Sequence, residues 1–156
     1  MEQKYYYYYE SPIGILEIST TEEALISILY VDEKKENTYK PEILKETIKQ
    51  LEEYFNGDRK EFDIKFKLNG TEFQEKVWNA LTEIPYGDTV SYKDIASRVG
   101  NEKAVRAVGN TNRKNSISII IPCHRVIGAN KKLVGYEGGL EKKQWLLQHE
   151  EKFSKK

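Results

Sequence analysis

The hydrophobic pattern of this chain changes character near its middle. Before Leu68-Asn69-Gly70-Thr71 the apolar residues recur mostly at strand spacing, and after it mostly at helical spacing. The composition shifts at the same place, which reads as a domain junction. The expected class is α+β or α/β. A small α/β unit should occupy 1–69, and a mainly helical unit 70–156. A chain of 156 residues, 38% of them hydrophobic, has enough apolar material for a core in one domain or in two small ones.

In the first unit, Tyr5 to Tyr9, Gly14 to Thr20 and Leu25 to Val31 read as short strands, and Ser11-Pro12-Ile13-Gly14 as the turn between the first two. The tyrosine run suits an aromatic strand better than a base-stacking platform, because tyrosine fits a pleated, half-buried surface. Pro41 to Phe55 carries Ile43-Leu44, Ile48, Leu51 and Tyr54-Phe55 at helical spacing, and Gly57 ends it. Phe62 to Leu68 alternates as one more strand. This unit holds no catalytic constellation.

In the second unit, Thr71 to Glu83 reads as a helix with a threonine cap, closed by Pro85. Tyr86-Gly87-Asp88 is a turn. Ser91 starts another helix, with Asp94 at the capping-box offset, and Gly100 ends it. Asn101 should cap a third, over Glu102 to Asn112. Projected at about 100° per residue, Ala104, Val105, Ala107 and Val108 fill one side of that helix, and Lys103, Arg106, Asn110 and Arg113 the other. Two short helices joined by a glycine-containing turn, the second with a basic outer face, have the layout of a helix-turn-helix. A plain surface helix gives the same pattern.

The net charge of zero hides an asymmetry. Residues 1–70 hold ten Lys/Arg against fifteen Asp/Glu, and residues 71–156 fifteen against ten. Between Thr89 and Lys132 nine basic residues, Lys114 and Arg125 among them, meet only Asp94 and Glu102. A polyanion partner therefore suits the second unit and not the first. No apolar run is long enough for a membrane span. The N-terminus, Met1-Glu2-Gln3-Lys4 followed by tyrosines, has neither the aliphatic stretch nor the cleavage site of a secretory signal. The single cysteine suits a reducing cytoplasm.

That cysteine is Cys123, in Ile121-Pro122-Cys123-His124-Arg125. One thiol makes no internal disulfide and no cysteine-rich metal cage. It is either a small core residue, the commonest fate of a lone cysteine, or a nucleophile. The neighbouring His124 and Arg125 argue for the nucleophile. The apolar run Ile117 to Ile121 reads as a buried extended segment leading to it. The last helix, Leu140 to about Glu150, places Glu150 between Leu146 and Leu147 on the wheel. A carboxylate drawn to the apolar side needs a partner, and a histidine is a natural one. Nucleophile, base and orienting carboxylate are then present in one block.

Pro122-Cys123-His124-Arg125-Val126, Gly135-Tyr136-x-Gly138-Gly139-Leu140 and Trp145-Leu146-Leu147-x-His149-Glu150 resemble the O6-alkylguanine-DNA alkyltransferases. Phe73-Gln74-x-x-Val77-Trp78, Ile84-Pro85-x-Gly87, Ser91-Tyr92 and Arg106-Ala107-Val108-Gly109 match upstream in the same order and spacing. The resemblance covers Thr71 to Glu150 and, more loosely, the first unit. It implies a ribonuclease H-like N-terminal domain and a winged-helix-like helix-turn-helix. It implies direct repair: a methyl or other alkyl group passes irreversibly from O6 of guanine, with O4-alkylthymine a further substrate to consider, onto Cys123. The protein is consumed, needs no cofactor or metal, and acts as a monomer on double-stranded DNA, without a membrane.

The resemblance also implies roles. His124 takes the thiol proton through a water, Glu150 holds the imidazole, and Asn115 is a hinge tying the helix-turn-helix to the cysteine loop. Arg106 fills the space of the flipped base, and Tyr92 pushes on the neighbouring phosphate and faces the guanine. The backbone at Cys123 and Val126 accepts the exocyclic amine. Backbone N–H groups near Tyr136 and Glu137 bond O6, and Tyr136 walls the pocket. Lys103, Asn110, Arg113, Lys114 and Arg125 join Arg106 on the DNA. Ser116 and Ser118 stand where the family commonly has prolines, which implies a more polar rim and less room for benzyl-type groups. Two rivals are a non-catalytic DNA-binding module with a structural Cys123 and a Cys-His-Glu hydrolase that turns over.

Overall fold

The computed structural model describes residues 3–128, 136 and 138–155. These form two compact units, 1–68 and 69–156. Among the described residues no helix is long and apolar enough to cross a membrane.

The first unit is a three-stranded antiparallel meander: β1 (Tyr5–Ser11), β2 (Gly14–Thr20) and β3 (Leu25–Val31), with β2 central. The β1–β2 turn is pinned by Ser11. Its Oγ donates to the Gly14 carbonyl at 2.6 Å and accepts from the Ile13 amide at 3.1 Å. The free edge of β1 is covered: Tyr6 exchanges backbone and side-chain bonds with Thr38, and the Tyr8 amide donates to Asn37 Oδ1. That closes a row of groups that would otherwise invite another strand.

α1 (Glu42–Phe55) supplies Leu44, Ile48, Leu51, Tyr54 and Phe55 to the core, against Leu16, Ile18, Leu25 and Ile28 of the sheet. The segment 62–68 is not the strand its alternation suggests. Ile64 is buried and its neighbours are exposed, as a strand would have it. The ladder, however, is a single parallel bridge from Phe66 to Leu25. Gln50 of α1 takes the place of further pairing, gripping the backbone N–H and C=O of Asp63 with both ends of its amide.

The second unit packs α2 (Glu72–Leu81), α3 (Tyr92–Arg98) and α4 (Val105–Arg113) pairwise, with α5 (Leu140–Ser154) at its end. Thr71 with Gln74 caps α2 by a reciprocal box. Ser91 and Asp94 do the same for α3, so an aspartate completes the box as well as the longer acid would. Val90–Ser91 (β4) pairs in parallel with Val126–Ile127 (β5). Gly87 must be glycine: its φ is +84°, and a Cβ there would lie 2.7 Å from Ser154 Cβ on α5.

Two expectations in this unit are corrected. α4 begins at Val105, three residues later than Glu102, because Asn101 caps a turn instead: its Oδ1 accepts from the Lys103 amide and its carbonyl from the Ala104 amide. The buried face of α4 is also rotated. It holds Val108, Thr111 and Asn112, while Val105 and Ala107 are exposed. The Trp78 indole explains the rotation, since it donates to the Thr111 carbonyl at 3.0 Å and draws that side of the helix inward.

Candidate active site

The chain reaches Cys123 through a knot of turns, not through the extended segment expected over Ile117 to Ile121. The Ile120 amide donates to the Ser118 carbonyl around Ile119, whose φ is +74°. A β-branched residue there is strained. The Cys123 amide then donates to the Ile121 carbonyl around Pro122, at φ −81° and ψ 63°, the relaxed form of the same three-residue turn. Asn115 holds both turns. Its Nδ2 donates to the carbonyls of Ile121 (2.8 Å) and Ile117 (3.3 Å), and its Oδ1 accepts from the Ile117 amide at 3.0 Å. Ser118 is buried behind this clamp, whereas Ser116 is exposed.

Cys123, His124 and Arg125 form one 3-10 turn, and all three are buried. Cys123 is 2% exposed. Its carbonyl accepts from Asn112 Nδ2 at 3.3 Å. His124, with no exposed surface, places Nε2 2.7 Å from Glu150 Oε2. Nδ1 is also buried and has no hydrogen-bond partner among the described residues. The only tautomer that suits a carboxylate carries its proton on Nε2, which leaves the Nδ1 lone pair bare.

Arg125 completes this arrangement and corrects the sequence reading. It is not a phosphate contact: it is 6% exposed, and its guanidinium is spent inside the protein. Nε and NH2 donate to the two oxygens of Glu150 at 2.7 and 3.0 Å, NH1 donates to the Ile84 carbonyl, and the Tyr86 ring lies 5.7 Å away. The sequence carried a signal for this, since an arginine two residues after an apolar-flanked cysteine sits in a core segment.

Charge follows from these contacts. Burial alone would raise the Glu150 carboxyl, but His124 and Arg125 outweigh it and hold the group well below the usual carboxylate range. His124 moves down from 6.5, because burial disfavours the cation more than Glu150 favours it. At neutral pH the set is a carboxylate paired with arginine, holding a neutral imidazole with one free nitrogen: a base.

Tyr92 begins α3, half-buried. Burial raises its hydroxyl and the charge on Cys123 adds to this, while Arg113 and a hydrogen bond with Asn112 act the other way. Val126 is fully buried in β5, and Tyr136 is buried. Glu137 lies outside the described residues. Lys103, Arg106, Asn110, Arg113 and Lys114 are all exposed, with Arg113 bonded to Asn110 Oδ1 at 3.0 Å. Sequence reasoning missed Asn112 and the buried Lys143. His149 stacks on Trp145 at 4.8 Å and is tilted against Phe153.

Residues 72–152 match the family model described as 6-O-methylguanine DNA methyltransferase, DNA binding domain, and residues 4–68 match its ribonuclease-like domain. A methylated-DNA--protein-cysteine methyltransferase of Methanosarcina acetivorans is 49% identical over 94% of this chain and 97% of its own. A constitutive protein of the same name from Bacillus subtilis is 46% identical, over 92% and 93%. The O6-methylguanine methyltransferase of Mycobacterium tuberculosis superimposes with TM-score 0.88 at 42% identity, covering 96% and 94% of the two chains. A structure of the M. tuberculosis protein in complex with DNA gives 0.87 at 43% identity, covering 95% and 93%.

Proposed function

The chain belongs to the 6-O-methylguanine DNA methyltransferase family, and from that premise we propose how its own residues perform the reaction. The protein repairs double-stranded DNA by moving an alkyl group from O6 of guanine to a cysteine of its own, and Cys123 is the only one available. The observation that carries the assignment is the bare, buried Nδ1 of His124 on the residue after the thiol. A buried nitrogen without a partner is costly unless it has work to do.

His124 draws the thiol proton to Nδ1, through a water. Glu150 stabilises the imidazolium that forms, and Arg125 keeps Glu150 ionised throughout. The thiolate sulfur bonds to the alkyl carbon as the carbon–O6 bond breaks, and the departing guanine takes the proton back from His124. The thioether is inert, so each molecule reacts once.

The target must leave the duplex stack to reach a buried sulfur. Arg106, projecting from the exposed side of α4, fills the vacated place, and Tyr92 faces the extruded base. Asn115 fixes the turns that carry Cys123. Lys103, Asn110, Arg113 and Lys114 meet the phosphates. Tyr136, the Val126 backbone and Glu137 line the pocket. The protein works as a monomer, in the cytoplasm, through two domains, 1–69 and 70–156.

Intact-protein mass spectrometry after incubation with O6-methylguanine duplex tests this. One methyl per molecule is expected, on the Cys123 peptide, and none in Cys123→Ser, which still binds DNA. Regeneration of free thiol with continued turnover would sink the mechanism. Arg106→Ala should slow repair of duplex strongly and reaction with the free alkylated base little. Equal losses on both would make Arg106 a structural residue.

A further inference from the structure

Asn112 uses one end of its side chain and leaves the other bare. It lies in α4 at 2% exposure, on the face that α4 buries. Nδ2 donates to the Cys123 carbonyl at 3.3 Å. A hydrogen bond from the same side chain favours the ionised form of Tyr92, as a donor would. Oδ1 is buried and has no hydrogen-bond partner among the described residues. The two ends cannot be exchanged, because only the amine end of an amide can meet a carbonyl oxygen.

A buried acceptor without a donor is costly, and packing alone would favour a leucine of nearly the same shape. The bare Oδ1 belongs to a planar amide whose other end touches the Cys123 carbonyl, so it lies beside the residue that carries the sulfur. The same amide reaches Tyr92, the ring that faces the extruded base. It therefore borders the space that the base enters. The chemistry of that base supplies the missing donor. Alkylation at O6 leaves N1 of guanine without a hydrogen, and the exocyclic amine is then the only donor on the pairing edge. A pocket that reads guanine must offer acceptors to that amine. The Cys123 carbonyl is already engaged by Nδ2, and the Oδ1 next to it is not.

We propose that Asn112 is a specificity-determining residue, whose Oδ1 accepts a hydrogen from the exocyclic amine of the flipped guanine. This rests on Cys123 being the alkyl acceptor and on the base entering beside Tyr92. Nδ2 holds the amide against the Cys123 carbonyl, so the acceptor and the sulfur are tied to one turn. A base that carries the amine pairs the bare oxygen. A base without it closes the site over an acceptor that stays unpaired, and that asymmetry is what discriminates. Asn112 neither moves a proton nor forms a covalent bond.

O6-methylhypoxanthine is O6-methylguanine without the exocyclic amine, and duplexes carrying either base make the test. Mass spectrometry follows single-turnover methylation of Cys123. Wild-type protein should favour guanine about tenfold. Asn112→Leu should slow both reactions and shrink the preference to about twofold. Effects of the missing amine on the duplex itself are common to both proteins and cancel in this comparison. No preference in the wild type, or the same preference in Asn112→Leu, overturns the proposal and leaves Asn112 as a prop for the Cys123 turn. If Asn112→Leu does not fold, 13C NMR of Cys123→Ser bound to each duplex decides instead. The Asn112 side-chain carbonyl resonance should move downfield with guanine and not with hypoxanthine, and one position with both overturns the proposal. Failure of wild-type Cys123 to gain a methyl from either duplex would strike the reading beneath, while the results above strike Asn112 alone.

Discussion

The two units bury polar atoms in different ways. Among the described residues, the first unit buries Ser19, Thr20, Thr21, Thr47 and Gln50, all neutral; Thr21, Thr47 and Gln50 bond to backbone, and Ser19 bonds to Ser27. The second also buries His124, Arg125, Lys143, His149 and Glu150, five groups that can carry charge. Ordinary folding does not call for that. A buried charge costs more than a hydrophobic replacement of similar size, so such a cluster points to chemistry more than to stability. The first unit is what the same chain builds when only packing matters.

The largest expected effect of breaking this contrast is at Glu150. Glu150→Gln leaves the Arg125 guanidinium buried without its carboxylate. The loss should be about 3–5 kcal/mol at pH 7, read by denaturant or thermal unfolding. Transfer to Cys123 should slow at pH 7 and recover at high pH, where the thiolate forms unaided. The sign of the pH dependence is fixed by both shifts. Glu150 is lowered from 4.5, so its contribution is complete above that value and fades as pH falls toward its folded value. His124 is lowered from 6.5, so the unfolded chain takes its proton first and stability starts to drop below about that pH. The variant should keep the His124 limb and lose the lower one. A wild-type acid profile in Glu150→Gln would mean that this carboxylate is not what the fold ionises.

Much of the second unit was legible because its signals are local. Thr71 with Gln74 and Ser91 with Asp94 announce their helices within four residues, and the capping bonds form as written. The Cys123-His124 pair and Glu150 on the apolar face of α5 were legible for a similar reason: a charge at an apolar position must have a partner. Ile119 was not legible. Nothing in Ile117-Ser118-Ile119-Ile120-Ile121 suggests a positive φ, since local preference opposes it, and the turn persists because Asn115 grips both sides of it. Arg125 was misplaced for the opposite reason. Its type suggested phosphate, and only the fold brings Ile84 and Glu150 to it from 41 and 25 residues away. In the first unit, Phe62 to Leu68 alternated correctly, but the pattern does not reveal that Gln50 would take over the pairing.

The next effect sharpens the contrast from the other side. Leu51 is fully buried on α1, amid neutral core. Leu51→Ala should cost about 2–5 kcal/mol, as much as losing Glu150, through the cavity it leaves. The transfer rate per folded molecule, measured well below the melting temperature, should be that of the wild type, with the same pH profile. A changed profile would show that the neutral unit contributes to the proton chemistry of the charged one.

The smallest effect compares one device on two helices. Thr71→Ala and Ser91→Ala each remove the side-chain acceptor of a capping box and should each cost about 1 kcal/mol, a shift of a few degrees in melting temperature. They should part in function. α2 begins with Glu72, exposed and distant in role from the thiol. α3 begins with Tyr92, whose hydroxyl interacts with Cys123 and Asn112. Fraying the first turn of α3 displaces that ring; fraying α2 does not. Ser91→Ala should therefore slow repair of alkylated duplex by a few-fold where Thr71→Ala leaves it unchanged, both followed as single-turnover methylation of Cys123. Equal rates would mean that α4 and the 3-10 turn hold Tyr92 without help from its own cap.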